Sequence, residues 1–465
     1  MKGVILAVLS LCLATTGVAR VTEDTIHFGR FGTVTLYRQS PQPAHVVLLV
    51  SGDDGWNLGV VDMARAFAGL DALVIGCDIT HYLKQLEVAE EKCSYPAADF
   101  EALSQCVQKK LDLPTYTLPL LAGYASGATL VYAVLVQAPT NTFQGAVSFG
   151  FCPDLALTKE LCPGNGLEWT TGPNGKGYSF LPAPKLEMRW VAFQGLIDQE
   201  CDPATVESYV TKVANAQLVS LQEIRHGPSV PNDWLPQFKK NFAQLVQKRD
   251  MVTATDAGPV IDLPLVEVPA TGEDTTSLAV IISGDGGWAS VDRQLGDALA
   301  RRGVPVIGLN ALKYFWKRRT PDEAGRDLER IVRHYMAVWK KDNAILIGYS
   351  RGADVLPFMA NRLQSDLLAK VSVVALIGPE RTVDFQFHLT DWLGNSTRKT
   401  DLPVGPEVQK LKGVKILCLY GDDESRSLCR DLDPAVVTVI SRKGGHHFGG
   451  DYQDLVEIIL SQGRI

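Results

Sequence analysis

The sequence has no excess of basic charge. Its 45 Lys and Arg stand against 52 Asp and Glu, a net −7, so it lacks the global cationic footprint of a nucleic-acid binder, and partners must be argued locally. There is no long low-complexity tract, and 46% hydrophobic against 21% charged residues excludes a disordered chain. No Cys-x-x-Cys and no histidine cluster is present, which excludes a zinc site; no metal and no cofactor is expected. The apolar N-terminal segment MKGVILAVLSLCLATTGVAR is also too short to span a bilayer. It has one positive charge, Lys2, ahead of its apolar core of roughly 12 residues, and a small-x-small end at Gly17 to Ala19, and so reads as a cleaved export signal over 1–19 with no span left after cleavage.

What the sequence does have is a repeat. VVLLVSGDDGWN at 46–57 matches AVIISGDGGWAS at 279–290, and ALVIGCDITHYLKQ at 72–85 matches VPVIGLNALKYFWK at 304–317. LAGYASGATLV at 121–131 matches LIGYSRGADVL at 346–356, and WVAFQGLIDQEC at 190–201 matches KILCLYGDDESRSLC at 415–429. The offset holds at about 225 to 232, too long for a solenoid unit, so the chain is two homologous domains. They are expected over 20–248 and 263–465 with a linker at 249–262. In the second copy, apolar β-branched runs at 278–283, 304–309, 343–348, 371–377, 414–420 and 435–441 alternate with helical patterns at 291–302, 321–340, 351–362 and 451–461. Continuous apolar strands separated by helices predict a tandem α/β chain, each domain a mainly parallel sheet flanked by helices.

Eight cysteines follow the leader. In an exported chain disulfides are the default reading. Cys418 and Cys429 are the only pair in the second half and would bridge across the segment between them. The other six allow 15 connectivities, with Cys93–Cys106 and Cys152–Cys162 favoured by short loops.

The chemistry concentrates in the second copy. Gly348-Tyr349-Ser350-Arg351-Gly352 ends a strand and opens a helix, the setting of a nucleophile elbow, where the two glycines relieve crowding in a strained turn. A serine needs a base and a group to orient it. Asp422, Asp423 and Glu424 follow the next-but-one strand, and His446 and His447 follow the last. Asp423 and His446 are the favoured members, without a decisive argument against their neighbours. Backbone N–H groups of Arg351 and of Asp285 or Gly286, in the loop Ser283-Gly284-Asp285-Gly286-Gly287-Trp288, would form an oxyanion hole. Asp285, Tyr349, Tyr314 and Trp288 are the candidate substrate contacts, with the Asp285 carboxylate able to meet an amine. In the first copy Ala125 aligns with Ser350, Ser126 with Arg351, and Gly227, Pro228 and Ser229 stand near the histidine position, His226 falling several places early. The first domain therefore reads as a non-catalytic copy.

Taken together, SGDGGW, GYSRGADVLPF, YGDDESRSLC and GGHHFGGDY resemble the bacterial VirJ/AcvB family, and the two-domain length looks like the longer AcvB type. The resemblance implies an α/β-hydrolase fold, a periplasmic location and hydrolysis of lysyl- or alanyl-phosphatidylglycerol at the membrane surface, with Ser350 as nucleophile and a histidine of GGHH as base. The residues alone carry the reading as far as an exported serine esterase. Its rivals are an exported chaperone or secretion adaptor built on a hydrolase scaffold, and an esterase or peptidase of soluble substrates. No feature names a protein partner. The segment LKYFWKRR at 312–319 offers Tyr314, Phe315 and Trp316 for insertion at a bilayer interface beside Lys317, Arg318 and Arg319; the competing expectation is that the aromatics pack beneath the loop.

Overall fold

The computed structural model describes residues 20–463 apart from 185, 187, 227–230, 247–259, 289, 389–399 and 451. The expected export signal, and nearly all of the expected linker, lie outside the described residues.

Two large sheets dominate. The second is built, in spatial order, from Leu265–Val268, Val306–Leu309, Ser277–Ile282, Asn343–Tyr349, Val371–Ile377, Lys415–Gly421 and Thr438–Arg442. Only the first of these runs antiparallel to its neighbour. Along each strand successive residues face opposite sides. Leu278, Val280 and Ile282 enter one buried cluster and Ala279 and Ile281 the other. Helices close both faces: Ser290–Arg301 and Tyr452–Gln462 pack together over one, Pro321–Val338 and Arg351–Ala360 over the other. The expected strands and helices are all present, with ends displaced by a few residues. The antiparallel strand Leu265–Val268, in the stretch read as leading out of the linker, was not expected.

The first sheet repeats this order strand for strand: Gly32–Arg38, Ala72–Cys77, His45–Val50, Leu120–Tyr124, Gly145–Phe149, Arg189–Gly195 and Ala216–Leu221, with Thr22–Phe28 added at the antiparallel edge. The internal repeat is thus a repeat of topology. Both sheets have the strand order of an α/β hydrolase, in which the elbow follows the central parallel strand.

The two units meet through the aromatic segment. Trp316 is 2% exposed. Its indole N–H donates to the Leu113 carbonyl at 2.8 Å, Lys109 Nζ lies 4.8 Å over its ring, and Tyr116 and Phe387 flank it at 5.3 and 5.7 Å. Phe315 and Tyr314 are buried in the second domain itself. Insertion of these three rings into a bilayer is therefore corrected: Tyr314 and Phe315 pack beneath the loop, and Trp316 packs against the first domain. Arg318 makes a two-pronged pair with Asp384 at 2.9 and 3.0 Å, and Arg319 covers the Tyr314 ring. Among the described residues no helix is long and apolar enough to cross a membrane.

Cys418–Cys429 is bridged as expected. In the first domain the bridges are Cys93–Cys162 and Cys152–Cys201, with Cys77 and Cys106 free. Short sequence separation misled there. Cys106 lies inside the helix Pro96–Lys110, whereas Ser94 exchanges backbone hydrogen bonds with Glu160 and Cys162 at 2.8 and 2.9 Å, which brings Cys93 to Cys162.

Trp316→Ala should leave each sheet intact but remove the indole from its seat. The expected cost is about 3 kcal/mol, the low end for deleting a buried aromatic, read as a fall in the urea midpoint followed by circular dichroism. An unchanged midpoint would mean that the interface contributes nothing to stability.

Candidate active site

Close packing creates the elbow. A Cβ on Gly348 would run into the Gly352 carbonyl, and one on Gly352 into the Ile282 carbonyl, so the helix Arg351–Ala360 starts closer to the sheet than any side chain permits. The residue between them is forced to φ 53°, ψ −121°, a left-handed conformation that costs a non-glycine residue on the order of 1–3 kcal/mol. That residue is Ser350. Its N–H donates to the Ile377 carbonyl at 2.8 Å, and its carbonyl accepts from Ala353 at 2.8 Å and Asp354 at 3.2 Å.

His446 reaches the same edge. A Cβ on Gly378, the residue after Ile377, would meet the His446 ring at 2.8 to 2.9 Å, so only glycine leaves room for the imidazole. His446 Nδ1 lies 2.6 Å from Glu424 Oε1. The favoured acid is thereby corrected: Glu424, not Asp423, holds His446. The turn explains it. Glu424 N–H donates to the Gly421 carbonyl at 2.9 Å, and its Oε2 accepts the Gly421 N–H at 2.7 Å, which folds the third residue after the strand back toward the histidine. Asp423 is exposed, and Asp422 instead accepts the Gly444 N–H at 2.7 Å, fixing the histidine loop. Burial opposes ionisation of Glu424, but the hydrogen bonds from His446 and the Gly421 amide outweigh it and hold the carboxyl below its usual value. Among the described residues His447 is not paired to an acid; burial and then the neighbouring His446 charge lower its pKa.

The substrate contacts need more correction. The Tyr349 hydroxyl donates to the His446 carbonyl at 3.2 Å and lies 3.1 Å from His447 Nδ1, so it braces the histidine loop from beneath. Tyr314 is 1% exposed and donates to Asp327 at 2.6 Å. Trp288 is buried under the sheet, its ring filling the space that a side chain at Gly308 would need. Asp285 does stand at the edge, since a Cβ on its neighbour Gly284 would come within 3.4 Å of Ser350 Cβ. Its carboxylate, however, is paired with the Arg351 guanidinium, which also donates to the Asp384 carbonyl at 2.6 Å. Asp285 is thus already neutralised and does not wait for an amine. At Gly286 a Cβ would meet nothing within 4 Å, so that stretch of backbone is open. Among the described residues no group of His, Cys, Asp and Glu is arranged to hold a metal ion.

The first domain holds a histidine–acid pair that sequence alignment missed. Ala125 occupies its elbow at φ 51°, ψ −121°, as the alignment expected. His226, expected several places early, is in register in space: the Tyr124 hydroxyl donates to the His226 carbonyl at 3.2 Å, as Tyr349 does to His446. Gly195 is crowded by the Ile224 and Arg225 carbonyls as Gly421 is by Gly444 and Gly445. Three residues after Gly195, Asp198 takes the place of Glu424 and lies 3.0 Å from His226 Nδ1. Gly227, Pro228 and Ser229 lie outside the described residues. Counting three residues from the strand-end glycine in both copies is the signal that would have found Asp198 and Glu424 together.

Residues 276–464 match the family model described as Bacterial virulence protein (VirJ). No curated protein matches the chain at a significant level. Among solved structures, a putative dienelactone hydrolase from Klebsiella pneumoniae subsp. pneumoniae MGH 78578 is 15% identical, covering 49% of this chain and 99% of its own, with a TM-score of 0.35. The esterase domain of a Rhodothermus marinus protein is 15% identical over 48% and 98%, TM-score 0.33. An α/β serine hydrolase without lid from Xanthomonas campestris is 15% identical over 49% and 93%, TM-score 0.31. At such scores the fold rests on the strand order and elbows described above.

The depressed Glu424 carboxyl has a consequence for stability. A carboxyl whose folded pKa lies below its unfolded value stabilises above the unfolded value, and the contribution is lost as pH falls through the folded one. The stability advantage of the wild type over Glu424→Gln should therefore be full near pH 7, shrink below the ordinary value of 4.5 and vanish at lower pH. Urea unfolding of both proteins across that range checks it; an advantage that grows on acidification would contradict it.

Proposed function

We propose that the second domain, whose residues 276–464 match the VirJ model of bacterial virulence proteins, is a serine ester hydrolase acting on aminoacylated phosphatidylglycerol. One observation carries the chemistry: a serine held in left-handed strain at the elbow shares a sheet edge with a histidine whose Nδ1 is bonded to a carboxylate. In this reading Ser350 Oγ attacks the ester carbonyl and its proton passes to His446 Nε2, while Nδ1–H donates to Glu424. The developing oxyanion takes the Arg351 N–H and an N–H of the Asp285–Gly286 backbone, where glycine leaves the approach open. The glycerol oxygen departs with the proton from His446, leaving an aminoacyl ester on Ser350. Water, deprotonated by the same histidine, releases the amino acid.

The lysyl or alanyl lipid substrate comes from the resemblance of the motifs; an aminoacyl ester is an activated acyl group that suits this chemistry. Three disulfides support an oxidising location, the periplasm in this reading. The Arg351 side chain serves as a positioning group, tying the Asp285 loop to the Asp384 loop.

Ser350→Ala should lower ester hydrolysis by about 10⁴-fold or more with the fold retained, and Glu424→Gln by about 10²- to 10⁴-fold. Asp423→Asn and Ser126→Ala should stay within about threefold, since neither side chain reaches His446 or Ser350. Mass spectrometry of lipids from membranes incubated with wild type and Ser350→Ala reads the substrate directly. Full activity of Ser350→Ala, or equal effects of Asp423→Asn and Glu424→Gln, would end the assignment.

A further inference from the structure

The first domain keeps more than a non-catalytic relic requires. Asp198, with its side chain 0% exposed, accepts hydrogen bonds from the Glu200 and Cys201 amides at 2.8 and 3.0 Å and from Gln194 Nε2 at 2.7 Å, besides facing His226. The Cys152–Cys201 bridge ties that turn to the loop after the neighbouring strand. The elbow retains its strain although alanine has no hydroxyl to present: a Cβ on Gly123 would run into the Gly127 carbonyl, and one on Gly127 into Ser51. Such strain, kept at a non-glycine residue, accords with a built site. Ser126 Oγ, one residue on, is buried with no hydrogen-bond partner among the described residues.

The charge at this edge differs from that of the second domain. There, Asp285 is neutralised by Arg351. Here Ser126 stands in place of that arginine, Asp54 stands where Gly286 does, and Glu200 lies 3.5 Å from His226 Nε2. Asp53, Asp54 and Glu200 are exposed. Their field is felt by Tyr124, whose phenol pKa is raised by burial first and then by Glu200, Asp54, Asp198 and Asp53. The same edge thus carries the elbow, a histidine braced by the tyrosine that precedes Ala125 and a rim of carboxylates.

We propose that the first domain is a second ester site arrested at binding: it receives the carbonyl of an amine-bearing ester at the Ala125 elbow beneath His226 and holds it without cleavage. The ester class rests on the reading of the second domain; the amine follows from the carboxylate rim. Of the nucleophile, histidine and acid positions, only the nucleophile lacks its group, an oxygen. Supplying it by Ala125→Ser would let the serine oxygen attack, its proton passing to His226 and then to the departing alcohol, with water completing the cycle through an acyl-enzyme.

Two measurements test this in the full chain. In a Ser350→Ala background, Ala125→Ser is treated with a fluorophosphonate, in which the serine oxygen bonds phosphorus, the P–F bond breaks, fluoride leaves and the serine proton passes to His226. Peptide mapping should find the label at position 125, and turnover of a p-nitrophenyl ester should rise at least about 10-fold over Ser350→Ala alone, the gain vanishing when His226→Gln is added. A folded variant with neither label nor gain overturns the proposal. The second measurement leaves the first domain unaltered: imidazole NMR of Ser350→Ala titrated with lysine methyl ester. A saturable shift of the His226 resonance supports binding, and a shift of His446 with none at His226 refutes it. Failure of the second-domain reading shows separately, as wild type that takes no label at Ser350.

Discussion

The contact on which the rest of the site depends is backbone against backbone, where Gly352 meets the Ile282 carbonyl and Gly348 meets Gly352. Without a Cβ at either position the helix can begin almost on the sheet, and the chain between has no conformation left but a left-handed one. Every other feature at the edge is placed relative to that turn. The loop after Ser277–Ile282 has to pass beside Ser350 because Gly284 packs against it, and Ser350 is tethered to Ile377, whose successor Gly378 makes room for His446. The same contact recurs at Gly123 and Gly127, where Ala125 endures the same torsion without a hydroxyl.

Holding the acid and the histidine is a separate problem, solved by a turn rather than by strain. In both domains the strand-end glycine accepts the amide of the residue three places on, Glu424 to Gly421 at 2.9 Å and Asp198 to Gly195 at 3.4 Å. Glutamate and aspartate differ in length, yet both reach a histidine from this position, because each histidine loop is braced by a tyrosine hydroxyl at 3.2 Å. The Cys418–Cys429 bridge joins the strand before the turn to the short helix after it, so the acid is fixed from both sides.

Much of this was legible in the sequence, and the failures have physical causes. Parallel strands buried on both faces are continuous apolar runs, and glycines flanking a serine at a strand end announce an elbow, so the sheet and Ser350 could be read directly. The acid could not, because three adjacent carboxylates differ only in where a turn sends them. His226 was hidden because the connection from Arg189–Gly195 to the last strand is longer than its counterpart after Lys415–Gly421, which defeats a constant offset. The bridges at Cys93 and Cys152 depend on loops that meet only in three dimensions. Tyr314, Phe315 and Trp316 were ambiguous since an aromatic run beside basic residues suits a membrane edge and a domain contact equally, and only the carbonyl of Leu113 decides between them.

That seat for Trp316 bears on how the two halves can be separated. The indole, with Leu312 and Phe387, forms one small apolar cluster with Tyr116 of the first domain, and Phe387 is three residues from Asp384, whose carbonyl holds the Arg351 guanidinium. A second domain cut free would therefore carry an exposed aromatic face joined by a few bonds to the elbow that holds Ser350. Any excised version has to replace those side chains with polar ones or acquire another cover, so the first domain serves the second as the lining of a shared apolar seam.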